Sequence, residues 1–426
     1  MNKPEIRFEG FVENWEQQKL GEVADIRTGP FGSTLHAEDY VKDGIPIITT
    51  EHFKTGQLPE KVINIPQVSE NDYKRLQSYT LNKDDIVFSR VGSVDINALV
   101  TEFQNGWLFS GRVLRVRSYE NINSQYLHYE LSTIRAKNDV ISRAVGQTMP
   151  SINTEILKDT NVCFPSKLPE QTAIGNFFRS LDNTIALKKQ QCEQTANIKK
   201  AMLEKMFPKK GENVPEIRFD GFTGAWVLDE LTDVLSPTVG NNTLSRADLN
   251  YESGEVLNIH YGDILIKFGS FIDSANDEIP FITNGPVMDY RNQLLQDGDI
   301  VFADTAEDET AGKVVEVTNS HGVNMVSGLH TMVYRPKRKF ATYFMGYYLN
   351  SNSFRHQLLP LMQGAKVLSL SRSNLATTQL CYPSSLDEQA AIGNFFRSLD
   401  TLIEAQQQEL EKLQNIKNAY LNKMFV

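Results

Sequence analysis

Two segments of this sequence occur twice, and the duplication constrains the fold more than any other feature. Ile174 to Asp182 recurs without change at Ile392 to Asp400, which lies 218 residues further on (392 − 174). Pro4 to Phe11 recurs as Pro215 to Phe222 with one change, from Glu to Asp. Exact repetition at a nearly fixed offset is typical of an architecture in which one structural unit is built twice.

Between the repeated segments the two halves share only short matches. The matched pairs are Leu81–Phe88 with Leu295–Phe302, Ser110-Gly111 with Ser327-Gly328, and Gly146 with Gly364. The near-identical segments therefore indicate one scaffold made twice, and the divergent bodies between them indicate two different recognition tasks.

The repeated segments near 168–207 and 386–426 carry apolar residues at mostly three- and four-residue spacing, which predicts helices. About 40 residues would span roughly 60 Å as a helix. Burial of both apolar stripes is simplest if the two helices pair as a coiled coil. Pro208 ends the first helix. Polar seam positions (Lys188, Thr195 and Gln406) leave two interpretations open: a solvated or register-setting layer, or a docking surface for another subunit.

The bodies between the helices contain short β-branched runs punctuated by Gly, Pro, Asn and Asp, which predict strands, and two short helical patterns. We therefore expect an α/β (α+β) fold. It consists of two globular mixed domains separated by two long antiparallel helices, with a pseudo-two-fold internal repeat. The predicted division is 1–167 (first segment and first body), 168–207 (central helix), 208–228 (linker and repeated segment), 229–385 (second body) and 386–426 (C-terminal helix).

Composition limits the environment and the partners. The net charge is −10 and 40% of the residues are hydrophobic, which fits a soluble globular protein and counts against a nucleic-acid binder unless charge is segregated by face. Neither an apolar run of membrane-spanning length nor a signal-peptide core is visible, so we expect no membrane partner. Cys163, Cys192 and Cys381 are scattered, which is typical of a reducing cytoplasm.

The sequence shows none of the catalytic motifs that we searched for, including a P-loop, HExxH, GxSxG and GxGxxG. The seven histidines show no metal-ligand spacing. The acidic run Asp304 to Glu309 could form a metal site, but a solvated loop is the simpler interpretation. We expect no catalytic residue and no metal ligand.

Several motifs together carry a family resemblance over essentially the whole chain. They are Arg7-Phe8-x-Gly10-Phe11-x-x-x-Trp15, Leu20-x-Glu22-Val23, Asp85-Ile86-Val87-Phe88, the junction Pro165 to Gln171, and the helix that begins Ile174-Gly-Asn-Phe-Phe178. In this order and duplication, the chain resembles the specificity subunits of type I restriction–modification systems.

The resemblance implies a non-catalytic subunit that recognises a bipartite, asymmetric site on double-stranded DNA, with one domain for each half-site and the helices as spacer. It implies two modification subunits, which bind S-adenosylmethionine and methylate adenine, and two restriction subunits that use ATP and Mg²⁺. This chain itself is expected to bind none of these cofactors.

Candidate DNA-binding residues are polar side chains in loops of the two bodies that can reach base edges or phosphates. In the first body they are Arg90, Ser93, Arg112, Arg143, Gln147 and Thr148, and in the second they are His330, Lys366, Ser369 and Arg372. Each has a simpler alternative, such as a surface ion pair for Arg90, turn chemistry near Gly146 or a core position for His330. The loop Gly29 to Ser33 is either a plain turn or an approach to the DNA backbone.

Candidate partner-binding residues lie at the matched start of each helix: Phe177, Phe178, Arg179, Phe395, Phe396 and Arg397. The phenylalanine pairs are core or helix-packing residues first and partner contacts second. Two rival functions remain open at this point. One is a scaffold that spaces two ligand-binding domains without DNA, which the acidic pI of 5.4 favours. The other is an enzyme with an unrecognised site.

Overall fold

The computed structural model describes residues 3–30 and 34–426, and it divides into two compact units. Unit 1 comprises Met1–Lys189 with Gln408–Val426, and unit 2 comprises Gln190–Gln407. Each unit thus contains one variable body and a part of each long helix. The predicted five-segment division stays a prediction, since the units are defined by packing and not by function.

Unit 1 is a mixed α/β body. Its strands are β1 (Trp15–Lys19), β2 (Ala24–Thr28), β3 (Tyr40–Val41), β4 (Ile45–Ile48), β5 (Gln67–Val68), β6 (Ile86–Ser89), β7 (Asn97–Leu99), β8 (Leu108–Phe109), β9 (Val113–Ser118) and β10 (Asn161–Pro165). Its helices are α1 (Leu20–Val23), α2 (Glu70–Arg75), α3 (Ser124–Glu130), α4 (Ile134–Arg143), α5 (Thr154–Lys158) and residues 168–189 of α6 (Leu168–Lys205).

Two four-stranded sheets form the body of unit 1, in the orders β2-β9-β6-β7 and β3-β5-β4-β8. The first is antiparallel, and the second includes the parallel pair β4-β8. On β9, Leu114 and Val116 face the core that includes Trp15 and Phe178, while Val113 faces a second core beneath the other sheet. The strand alternates between two buried faces because a core lies on each side of it.

Unit 2 repeats this plan. Its strands are β11 (Val227–Glu230), β12 (Leu235–Ser236), β13 (Leu249–Asn250), β14 (Leu257–Ile259), β15 (Phe271–Asp273), β16 (Phe281–Ile282), β17 (Ile300–Ala303), β18 (Thr305–Ala306), β19 (Val314–Thr318), β20 (Met325–Ser327), β21 (Thr331–Pro336), β22 (Leu368–Ser369) and β23 (Gln379–Tyr382). Its helices are α7 (Leu231–Val234), α8 (Tyr261–Ile266), α9 (Val287–Tyr290), α10 (Phe344–Asn350), α11 (Asn352–Arg355), α12 (Arg372–Leu375) and the first part of α13 (Leu386–Lys423).

The sheets of unit 2 have the orders β12-β21-β17-β19-β15 and β13-β16-β14-β20. They match those of unit 1, with β15 added in parallel to β19. Each unit also pairs its first strand with the strand before its long helix, as β1-β10 in unit 1 and β11-β23 in unit 2, and unit 2 has a further two-stranded pair, β18-β22. The predicted mixed α/β class with an internal repeat is confirmed.

The long helices run antiparallel within each unit. In unit 1, Asp182 of α6 pairs with Lys417 of α13 at 2.6 Å, and Lys188 pairs with Glu409 at 2.9 Å. In unit 2, Lys199 pairs with Asp400, and Phe207, just beyond α6, stacks on Phe396. Later residues of one helix therefore face earlier residues of the other in both units, as a coiled-coil pairing requires.

A second repeated contact ties the start of each unit to its long helix. Arg7 donates to both carboxylate oxygens of Glu170, at 2.6 and 2.8 Å, and the Trp15 indole donates to the same group at 3.3 Å. Arg218 and Trp226 make the same contacts with Glu388 in unit 2. Since both carboxylates are almost fully buried, each depends on its arginine for compensation.

Candidate nucleic-acid interface

Three segments that are distant in sequence meet in unit 1, and together they carry most of the DNA-binding residues that are predicted for the first body. The Arg90 amide donates to the Arg112 carbonyl at 3.0 Å, and the Ile152 amide donates to the Arg90 carbonyl at 2.9 Å. The Gly92 amide donates to the Pro150 carbonyl at 2.8 Å. We call residues 89–93, 110–112 and 145–152 the unit 1 platform.

Unit 2 assembles the matching segments with the same backbone bonds. The Asp304 amide donates to the His330 carbonyl at 3.1 Å, and the Leu370 amide donates to the Asp304 carbonyl at 2.8 Å. We call residues 303–306, 328–330 and 363–370 the unit 2 platform. The two platforms therefore share a backbone scaffold, although Asp304 occupies the position of Arg90.

The most exposed part of each platform is a short hairpin. Val145 and Ser151 exchange backbone hydrogen bonds of 2.9 Å, and Gln363 and Ser369 exchange bonds of 3.0 and 2.8 Å. Each hairpin contains a glycine with positive φ, Gly146 at 102° and Gly364 at 125°. A Cβ on Gly364 would lie 1.8 Å from the Val367 carbonyl oxygen, so glycine is required there.

The hairpin tips present different side chains to solvent. Gln147 and Thr148 are exposed in unit 1, beside Met149, which is 66% exposed. Lys366 is exposed in unit 2, beside Val367, which is 50% exposed. The two apolar tips were missed from the sequence, and the signal for them was an apolar residue three positions after a glycine that the two halves share.

The arginines of unit 1 differ in how far they are already engaged. Arg90 donates through Nε to the Ile152 carbonyl at 3.2 Å and through its terminal nitrogen to the Gly111 carbonyl at 3.0 Å, so it helps to hold the platform. Arg112 is exposed on the platform, as is Ser93. Arg143 ends α4 two residues before the hairpin and pairs with Asp139 at 2.9 Å. Arg112 is therefore the best placed of the three to meet a ligand.

In unit 2, His330 lies on the platform with a left-handed backbone, φ 55°. Its ring is 3.4 Å from the Asp304 carboxylate and makes an edge contact with Tyr261. Because its side chain is 46% exposed, the alternative of a core histidine does not describe it. Lys366 and Ser369 are exposed on the hairpin, and Arg372 is exposed at the start of α12, just beyond it.

The predicted partner-binding residues fall into three classes of exposure. Phe178 and Phe396 are fully buried in the cores of their units, and Phe177 and Phe395 are partly buried against those cores. The two arginines that follow, Arg179 and Arg397, are exposed on the helices. The structure thus gives the phenylalanines their predicted packing role, and whether any of these six residues contacts a partner stays a prediction.

Other candidates from the sequence have simpler surroundings in the structure. Within the acidic run, Asp308 caps its own loop by accepting from the Thr310 amide at 2.9 Å. Cys163 and Cys381 are buried, and burial raises the pKa of the Cys381 thiol to about 11. Of the loop from Gly29 to Ser33, residues 31–33 lie outside the described residues. Over the residues that are described, no group of three or more His, Cys, Asp or Glu side chains is placed to hold a metal ion.

A search of the described helices for a membrane span finds none with the necessary length and apolar character. The structure does provide a mixed α/β unit that is built twice, with a loop platform in each copy and a long helix leading out of it. That combination defines a class of proteins in which one α/β domain with a long helix is duplicated.

Comparison with known proteins identifies the family. The sequence model described as "Type I restriction modification DNA specificity domain" matches residues 12–196 and 250–415. Since these ranges cover most of the chain, the chain belongs to the type I restriction–modification DNA specificity family. The resemblance inferred from the sequence motifs, including its assignment to specificity subunits and not to enzymes, is confirmed.

Relatives and solved structures agree with this assignment. A putative type I restriction enzyme MjaX specificity subunit from Methanocaldococcus jannaschii is 24% identical over 96% of this chain and 92% of its own. The MjaVIII specificity subunit of the same organism is 26% identical over 45% of each chain. The fold is similar to the crystal structure of a type I S subunit from M. genitalium, with a TM-score of 0.60 at 14% identity, covering 100% of this chain and 99% of that one. It is also similar to a chain from a study of assembly of the type I R-M system, with a TM-score of 0.53 at 16% identity, covering 96% and 97%.

Proposed function

We propose that this specificity subunit recognises a bipartite, asymmetric site on double-stranded DNA, with one platform for each half-site. The observation that supports this most strongly is the reuse of one backbone scaffold with different side chains, Arg90 in one unit and Asp304 in the other. A protein that recognised two identical half-sites would need the same side chains twice. Two unlike platforms are suited to two unlike sequences.

The side chains on the unit 1 platform suit the major groove, where each base pair has its own pattern of donors and acceptors. A glutamine such as Gln147 can pair with adenine through two hydrogen bonds, and an arginine such as Arg112 can pair with guanine. The exposed Met149 can contact a thymine methyl group. In unit 2, Lys366 on the platform and Arg372 just beyond it supply the cations, and Val367 supplies the apolar contact.

We propose that the paired helices set the distance between the half-sites. Recognition from one face of B-DNA requires contacts separated by about one turn, roughly 34–36 Å. Helices hold such a spacing where a flexible linker would not. Inserting one or two helical turns into both helices should therefore change the spacer length and leave both half-site sequences unchanged.

We further propose that two modification subunits and two restriction subunits dock on this chain, in the cytoplasm where the DNA is. The exposed Arg179 and Arg397 occupy matching positions on the helices, so they offer two equivalent docking points. S-adenosylmethionine, ATP and Mg²⁺ would then reside on those partners. Titration of the isolated chain with S-adenosylmethionine or ATP should show no binding, and tight binding of either would favour an enzyme instead.

The central test replaces one tip residue in each unit and measures DNA binding in the presence of the modification subunit. Gln147→Ala should weaken binding by about 1–3 kcal/mol and relax one position of one half-site only. Lys366→Ala should affect only the other half-site. Competition gel shifts with duplexes altered in one half-site at a time would measure both effects.

Lys158→Ala provides the control, because Lys158 is an exposed cation on α5 paired with Glu155 and lies outside the platforms. It should leave affinity and sequence preference unchanged. Sequence preference that changes in both half-sites after either tip substitution would contradict the proposal. The absence of any sequence-selective band with the unaltered protein would favour the scaffold alternative.

A further inference from the structure

An open cleft in unit 1 is lined, among the described residues, by polar side chains alone, and none of these side chains belongs to the platform. Its volume is about 460 Å³, and three of its lining residues are arginines, Arg27, Arg115 and Arg117. One water occupies roughly 30 Å³ of liquid, so the cleft has room for a group much larger than water. Tyr73 and Ser78 add hydroxyl groups to the lining.

The carboxylates around the cleft do not match the arginines in number. Arg117 has its own partner, Asp85, which it contacts at 2.6 and 2.7 Å. Arg27 and Arg115 share a single carboxylate, Asp25. Within the part of the chain that the structure describes, three guanidinium groups therefore face two carboxylates, which leaves one positive charge in excess.

Arg115 is the least satisfied of the three. Its side chain is only 3% exposed, and its buried Nε has no hydrogen-bond partner among the described residues. Burial lowers the pKa of the Arg115 guanidinium, and the charge of Arg117 lowers it further. An anion in the cleft would supply the compensation that the protein does not.

The fold does not need an arginine at this position. In unit 1, Arg115 pairs with Val87 in the sheet, and the matching pair in unit 2 is Val333 with Val301. Asp25 lies opposite Arg117, and its counterpart opposite Arg335 is Ser236. The Arg117–Asp85 contact, by contrast, is repeated as Arg335–Asp299. Unit 2 thus keeps the structural pair and lacks the additional Arg115 and Asp25.

We propose that this cleft binds a phosphate group. Arginine presents a planar fork of donors that matches the oxygens of phosphate, and buried or partly buried sites favour it over lysine for this purpose. The group can come from two sources, a phosphodiester of duplex DNA or free inorganic phosphate. The platform residue Arg112 precedes β9, and Arg115 lies three residues further along the chain, at most about 10 Å away, so a duplex at the platform would pass close to the cleft.

The test uses the full-length chain and two variants. Arg115→Val installs the residue that unit 2 already carries at the matching position, so it should fold. Arg27→Gln changes a side chain that is 57% exposed and should not disturb folding. Lys158→Gln is the control, since it removes an exposed paired cation outside the cleft. Circular dichroism shows whether each variant is folded. If Arg115→Val does not fold, Arg27→Gln alone is sufficient for the test.

The first measurement is the thermal midpoint in inorganic phosphate against chloride of equal ionic strength. Occupation by free phosphate would raise the midpoint of the unaltered chain and of Lys158→Gln, and the shift would be lost in both cleft variants. The second measurement is the salt dependence of duplex binding. Loss of one backbone phosphate contact should reduce the log–log slope by about 0.9 in the cleft variants and leave it unchanged in the control.

Either result supports the site and identifies its source. The inference is overturned if phosphate has no specific effect on the midpoint and the slope is the same in all variants. It is equally overturned if Lys158→Gln changes as much as the cleft variants. A failure of the proposed DNA recognition is a separate outcome, because a chain that binds no duplex still answers the phosphate measurement.

Discussion

The two platforms differ most in the side chains that face solvent and least in the backbone that carries them. Arg90 and Asp304 make the same pair of backbone hydrogen bonds and bring opposite charges to the same place. The glycine of each hairpin is kept, while the tip changes from Gln147 to Ala365. The scaffold is thus specified by backbone bonds and glycines, which leaves the exposed side chains free to define two different specificities.

The same division between a kept backbone bond and a changed side chain occurs in the buried interior of the units, at the amides of Cys163 and Cys381. The Cys163 amide donates to the Glu130 carboxylate at 2.7 Å, and the Cys381 amide donates to the Tyr348 hydroxyl at 2.7 Å. The acceptor changes from a carboxylate to a phenol, but the donor is satisfied in both units. A buried amide without a partner is costly, so the requirement is for an acceptor and not for one residue type.

The largest expected effect tests whether the shared contacts stabilise both units alike. Glu170→Ala and Glu388→Ala each remove a buried carboxylate and leave a partly buried arginine, Arg7 or Arg218, without its carboxylate partner. Each should lower the free energy of unfolding by about 3–5 kcal/mol. Urea unfolding followed by circular dichroism would measure both losses.

The control is Glu155→Ala, which breaks the exposed pair with Lys158 and should cost about 0–1 kcal/mol. The equivalence of the two units is contradicted if one glutamate proves essential and its counterpart behaves like the control.

A second prediction separates the units by pH. In unit 1, burial lowers the pKa of His128 to about 4, so the folded state binds fewer protons than the unfolded state. This contributes stability above about pH 6.5 that is lost as the pH falls towards 4, about 3 kcal/mol in total. In unit 2, burial raises the pKa of Glu316 to about 7. Its contribution to the free energy of unfolding is present below about pH 4.5 and is lost as the pH rises through 7, and this loss is also about 3 kcal/mol.

Two variants isolate these contributions, His128→Gln and Glu316→Gln. The free energy of unfolding of His128→Gln, measured relative to that of the unaltered chain, should rise as the pH falls from 6.5 to 4. The free energy of unfolding of Glu316→Gln, measured relative to that of the unaltered chain, should rise as the pH rises from 4.5 to 7. Other groups, including Glu130, cancel in each difference. Unfolding free energies are measured across this pH range. If the two relative free energies change in the same direction with pH, the predicted contrast between the units is contradicted.

The sequence predicted the repeated parts well because they depend on local pattern. The apolar spacing predicted helices near 168–207 and 386–426, and the structure gives Leu168–Lys205 and Leu386–Lys423. The β-branched run Asp85 to Phe88, which falls among the short runs that predict strands, lies in the strand Ile86–Ser89. Spacing within a helix or strand fixes these elements without help from distant residues.

The sequence did not show how the platforms are assembled or that Arg115 is buried. Residues 89–93, 110–112 and 145–152 are brought together by backbone bonds between segments that are far apart in the chain. Side-chain identity does not encode such bonds. Arg115 lies on a strand face that also carries the buried Val113, where a charged residue would ordinarily predict exposure. Its position is accounted for by the neighbouring strand β2, which carries Asp25 and Arg27 beside it in the sheet.

The smallest expected effect tests a contact that the two units share in full. The Tyr129 hydroxyl donates to Asp182 at 2.8 Å, and Lys417 pairs with the same carboxylate. Tyr347 donates to Asp400 at 2.6 Å, and Lys199 pairs with it in turn. Since the lysine still compensates the carboxylate, Tyr→Phe at position 129 or 347 should cost only about 1–2 kcal/mol.

Equal losses at the two positions, measured by urea unfolding, would show that the tyrosine hydroxyl fastens each body to its helices in the same way. The pair is informative because nearly everything else on these short helices differs, including His128 and its counterpart Gly346. A loss at Tyr129 with none at Tyr347 would mean that the repeated geometry is not matched by repeated energetics. The helices would then hold the two bodies with unequal strength, and substitutions in one body would loosen its attachment without affecting the other.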